Sequence, residues 1–149
     1  MTKFSILSVA FLCVVGIGLL FSDVSLAGAP ACTGYSVQHP DADCFVSSLC
    51  AMENRCTTQK RWEVSDRITS AGNHNVQVTG FRPSGGTFTC QACATSREGF
   101  SAGCTQFVPL NVANADTQFT VGIVNVPDSG GLLVSCDMSL GAVYDSAEF

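Results

Sequence analysis

Eight of the nine cysteines lie between Cys32 and Cys136, and this constrains the chain more than any other feature. Whether they are crosslinks or free thiols depends on the compartment, and the N-terminus speaks to that. Lys3 precedes an apolar run from Phe4 to Phe21, and Ser25-Leu26-Ala27 supplies the small residues that a signal peptidase reads. Residues 1–27 therefore read as a secretory signal peptide, with a membrane anchor as the competing reading of the same run. Cleavage after Ala27 removes Cys13 and leaves Cys32, Cys44, Cys50, Cys56, Cys90, Cys93, Cys104 and Cys136. An even number in an exported chain is the signature of a disulfide framework, here extracellular or periplasmic. No later apolar run is long enough to span a bilayer.

The remainder, 28–149, reads as one secreted β-rich domain, with a cysteine-rich segment over 28–58 and a β core over 59–149. In 75–93, Val76 and Val78 alternate with Gln77 and Thr79, the period of a half-buried strand. Arg82-Pro83-Ser84-Gly85-Gly86 breaks the run, and Phe88, Cys90, Ala92 and Ala94 then share one face. The spacing predicts a hairpin, with Cys90 pointing inward and Cys93 outward. Further strands are expected around Trp62 and Val64, around Val108 (at an edge, because of Pro109), at 119–126, at 132–138 and at Val143-Tyr144. Val124 and Val126 fall opposite Phe119, Val121 and Ile123, so that strand is expected to be covered on both sides. The expected fold is mainly β, an antiparallel β-sandwich or open barrel stapled by disulfides. In the cysteine-rich segment, Phe45, Leu49 and Met52 recur at helical spacing, which predicts a short helix over 43–54 opened by Asp41 and Asp43.

The strand faces suggest one pairing among the 105 that eight cysteines allow. Cys90 would join Cys136 in the core, Cys93 would close a loop with Cys104, and the N-terminal four would pair among themselves. The Cys90-Gln91-Ala92-Cys93 motif could also be a redox dithiol, but that chemistry favours a helix N-terminus, and here the motif lies within a strand. As a metal knuckle it lacks a second CxxC and a nearby histidine, and Asp41 and Asp43 are too few oxygens for a calcium loop. No metal and no cofactor are expected.

The net charge of −5 does not change when Lys3 and Asp23 leave with the signal, and the only adjacent basic pair is Lys60-Arg61. Nucleic acid and anionic membranes are poor partners for such a chain. Aromatic residues offer the best contact candidates: Phe100, in a glycine-bracketed loop, with Trp62 and Tyr35. The sequence thus points to a secreted, disulfide-rich, non-enzymatic binding or structural module acting on an extracellular ligand or protein. The alternative is a small secreted enzyme, either exchanging disulfides through Cys90 and Cys93 or hydrolysing a substrate with His39 or His74.

Overall fold

The computed structural model describes residues 28–68 and 70–149; the expected signal peptide lies outside these residues. Twelve strands are present among them. They are β1 (Gly28–Pro30), β2 (Tyr35–Ser36), β3 (Phe45–Ser48), β4 (Ala51–Asn54), β5 (Lys60–Arg67) and β6 (Gly72–Phe81). Then follow β7 (Phe88–Thr95), β8 (Ser101–Cys104), β9 (Val108–Pro109), β10 (Asp116–Val126), β11 (Gly131–Met138) and β12 (Val143–Glu148). All pairings are antiparallel. Sheet A has the order β10-β6-β12-β4-β3, with β1 also paired to β12; sheet B has β2-β5-β11-β7-β8, with β9 also paired to β7. From β5 onward the chain changes sheet at every step except along β7, β8 and β9, which all lie in sheet B.

The core lies between the sheets. Val64 on β5, Val76 and Val78 on β6, Phe88 and Ala92 on β7, Val134 and Cys136 on β11, and Tyr144 on β12 are buried in it. These are the apolar members of alternating runs, and burying them is the main force holding two such sheets together.

All eight cysteines of the described residues are paired. Cys90 bonds Cys136, Cys93 bonds Cys104, Cys32 bonds Cys50 and Cys44 bonds Cys56. Cys90 faces the core and Cys93 the outer side, where it sits opposite Cys104 on β8.

Three expectations are corrected. The helix over 43–54 is absent: a 3-10 turn at His39–Cys44 runs directly into the hairpin of β3 and β4. Leu49 and Cys50 form its tip with φ of 50° and 68°, the left-handed pair that a two-residue turn requires. The disulfide to Cys32 holds Cys50 there, and the Cys32 N–H donates to the Cys50 carbonyl at 2.9 Å. The Asp41 carboxylate does not cap the 3-10 turn but pairs with Lys60 Nζ at 2.6 Å.

The expected hairpin around Arg82–Gly86 is an arch. β6 belongs to sheet A and β7 to sheet B, so the segment between them crosses the sandwich. Gly80 and Phe88 face each other across it, and a Cβ on Gly80 would lie 2.6 Å from the Phe88 ring. Arg82 fixes the arch by donating to the carbonyls of Gly86 (3.0 Å) and Asn111 (2.8 Å).

Finally, β10 is covered on one side only. A bulge between Thr120 and Gly122 shifts the register, and Gly122 takes φ of 142°. Val121, Val124 and Val126 all turn inward as a result, and Ile123 is left exposed.

One buried polar residue joins the cysteine-rich segment to the sandwich. The Asn54 amide donates to the carbonyls of Met138 (2.7 Å) and Thr58 (3.1 Å), and its oxygen accepts the Cys56 N–H (2.9 Å).

Candidate ligand-binding site

The outer face of sheet B carries the side chains that alternate with the core. On β5 these are Arg61, Glu63, Ser65 and Arg67; on β11, Leu133, Ser135 and Asp137; on β7, Gln91, Cys93 and Thr95. The ladder sets them in rows, with Asp137 opposite Arg61, Ser135 between Glu63 and Gln91, and Leu133 between Ser65 and Cys93. Edge strand β2 adds Tyr35 beside Glu63.

Hydrogen bonds hold this face in place. Arg61 grips Asp137 through two donors at 2.7 and 2.9 Å, and its guanidinium lies 5.0 Å from the centre of the Phe107 ring. The bond to Asp137 is the main reason the Arg61 pKa is raised. Ser135 Oγ donates to Glu63 at 2.8 Å, and Gln91 Nε2 donates to the Thr105 carbonyl at 2.6 Å. Burial, followed by the nearby Glu63 carboxylate, raises the pKa of the Tyr35 phenol, so it stays a protonated donor.

At one end the face opens into a cleft of about 410 Å³. Its walls are Ser65 to Arg67, Thr95 to Arg97 with Gly99, and Ser129 to Leu133, and Tyr35 stands at its edge. Gly131 lies between Arg67 and Thr95 in the ladder, where the neighbouring strands approach too closely for a side chain. A Cβ there would come within 2.8 Å of the Asp66 carbonyl oxygen and 3.1 Å of Thr95 Oγ1. The Phe100 loop forms the far wall: the Ser96 N–H donates to the Phe100 carbonyl at 2.7 Å, and Cys93–Cys104 clamps the loop's base.

The aromatic candidates from the sequence fall in two places. Phe100 is 74% exposed and Tyr35 50%, both at this end of sheet B. Trp62 is turned inward at 7%, packed at a tilt against Phe45 with its indole N–H donating to the Ala31 carbonyl at 2.8 Å. The two histidines are not brought together. His39 is exposed in the 3-10 turn after β2, while His74 on β6 lines a separate cavity on sheet A beside Asn73 and Glu148. Cys90 and Cys93 are not bonded to each other; each has a different partner, so the motif is not a dithiol. Among the described residues, no three His, Cys, Asp or Glu side chains cluster as metal ligands.

The sequence reading missed Phe107, the Arg61–Asp137 pair and the glycine-floored cleft. The alternation already placed Arg61 and Asp137 outward. That they meet across a ladder depends on the pairing of β5 with β11, two strands far apart in the chain.

No family model matches the chain, and no curated protein matches it in sequence. Solved structures do resemble it. The crystal structure of Podospora anserina GH26-CBM35 β-(1,4)-mannanase matches with a TM-score of 0.54 and 8% identity, over 82% of this chain and 26% of that one. Arthrobacter globiformis T6 isomalto-dextranase, complexed with panose, matches at 0.46 and 14%, over 82% of this chain and 22% of that one. TmCBM61 in complex with β-1,4-galactotriose gives 0.39 and 8%, over 82% of this chain and 81% of that one. This chain thus spans about a quarter of the first two proteins, and its likeness to the mannanase structure is one of fold.

Proposed function

We propose that this protein is a secreted, non-catalytic module that binds carbohydrate through the outer face of sheet B. One observation carries the reading: the fold brings Tyr35 and the Phe100 loop to a single cleft beside a row of fixed polar side chains. Sugars present apolar C–H faces and a rim of hydroxyls. Exposed rings receive the former, and Ser65, Thr95 and Ser96 at the cleft walls exchange hydrogen bonds with the latter. Contact residues on this reading are Tyr35 and Phe100, with Phe107 added. The mannanase likeness accords with it, since the sandwich recurs in a chain that acts on a polysaccharide. Four disulfides suit an extracellular or periplasmic site of action. Among the described residues, no helix is long and apolar enough to cross a membrane.

Affinity electrophoresis of the protein through gels containing β-mannan, β-galactan, dextran or xylan tests the reading. At least one polysaccharide should retard the protein, and Tyr35→Ala and Phe100→Ala should each weaken retardation by roughly three- to tenfold. If none of the polysaccharides slows the protein, or if both variants migrate like the parent, the reading fails.

A further inference from the structure

The cations of the described residues divide unevenly. Arg55 pairs with Glu53, Lys60 with Asp41, and Arg61 with Asp137. Arg82 is committed to two backbone carbonyls. Arg67 and Arg97 remain, and among the described residues neither guanidinium has a carboxylate or carbonyl partner. Both are exposed, and both line the cleft on sheet B as well as the adjoining hollow of about 380 Å³ beside Ile68 and Ser129. In a protein of net charge −5, its two uncommitted side-chain cations thus border the same opening. They come from different places in the chain, the end of β5 and the loop after β7, so the fold brings them together. Asp66 lines the cleft as well, but its Oδ1 accepts the Arg67 backbone N–H at 2.7 Å.

We infer that the cleft takes an anionic sugar, one whose ring carries a carboxylate or a sulfate. A guanidinium presents paired donors matched to such a group, and two of them flanking one opening would hold the anion while Tyr35 packs against the ring. Ser65, Ser96 and Ser129 at the same walls are suited to neighbouring hydroxyls. This inference rests on the carbohydrate reading and narrows its ligand class.

Calorimetric titration of the protein with three matched oligosaccharides tests it: one ending in glucose, one ending in glucuronic acid, and one ending in glucose sulfate. At least one acidic ligand should bind roughly tenfold or more tightly than the neutral one. Arg67→Gln and Arg97→Gln should each reduce that preference severalfold, Arg55→Gln should leave it intact, and added salt should shrink it. Preference for one acidic ligand over the other identifies which anion the cleft takes. The inference is overturned if the neutral ligand binds as tightly as both acidic ones, or if the preference survives loss of both arginines; the carbohydrate reading then still stands. Failure of all three ligands to bind overturns the inference, and the broader reading also falls if the polysaccharide gels fail too.

Discussion

Two residues show how differently this molecule treats buried polarity. Asn54 satisfies both ends of its amide with three partners, so an uncharged polar group is held inside at little net cost. Asp145 on β12 is less well placed. Its Oδ2 is buried without a hydrogen bond, and burial, with Asp116 nearby as a second cause, raises its pKa. Ionisation therefore opposes folding. The stability associated with this group is full below the ordinary aspartate value of 3.8 and is lost as the pH rises through the higher folded value. Asp145→Asn should accordingly melt at a higher temperature than the parent at neutral pH. The gap should narrow on acidification and close below about pH 3.8. A gap that persists unchanged down to pH 3 in thermal scans would mean that something other than ionisation separates the two proteins.

At the scale of elements, the β3–β4 hairpin is the least expected piece, and its tip explains why. Left-handed two-residue turns are usually built from Asn or Gly, yet here Leu49 and Cys50 occupy both positions. A leucine at φ of 50° is strained by about 1 kcal/mol, and Leu49 recovers nothing by burial because it is fully exposed. Leu49→Asn should raise stability by about 0.5–1 kcal/mol, and Leu49→Val should lower it by a similar amount. Denaturant midpoints for the two variants should move in opposite directions; movement together would mean that left-handed strain at Leu49 does not set the difference, and no movement in either would place the tip outside the folded cooperative unit. The same residues account for the false helix, because Phe45, Leu49 and Met52 fit a helical face only while Cys32 is left out of account. The strand faces were legible: alternation alone placed Phe88, Cys90, Ala92 and Ala94 inward and Cys93 outward, and two disulfides follow from that. Partnership was not. An arch and a hairpin share one sequence pattern, and what distinguishes them is that β6 and β7 join different sheets. The β10 bulge was hidden for a similar reason, since Gly122 resets the alternation that sorted Ile123 with Val121. At the candidate site, Tyr35 and Phe100 stood out in the sequence only as aromatic residues, whereas the cleft lined by Tyr35 and the Phe100 loop depends on where β2, β5, β11 and β7 meet.

For the whole molecule, the placement of the crosslinks matters more than their number. Cys90–Cys136 and Cys93–Cys104 both lie within sheet B, and the other two tie the cysteine-rich segment to itself. No disulfide among the described residues joins a strand of one sheet to a strand of the other, so apolar burial holds the sandwich closed. The bridges then act chiefly on the unfolded chain, where the cost of losing one grows with the loop it closes. Cys90–Cys136 spans 46 residues and Cys93–Cys104 spans 11, which correspond to about 4 and about 3 kcal/mol. The longer bridge is also wholly buried, and removing both its sulfurs leaves a void that adds to its loss. Cys90→Ala with Cys136→Ala should therefore destabilise more than Cys93→Ala with Cys104→Ala, and both proteins should still unfold cooperatively. Only the second pair frees the base of the Phe100 loop, so it should also increase amide exchange over residues 96–100 without doing so in β11. Equal losses in the two double variants, or loop exchange unchanged by removing the shorter bridge, would show that the β7–β11 and β7–β8 ladders hold their geometry without sulfur. The disulfides would then add to stability without shaping the cleft.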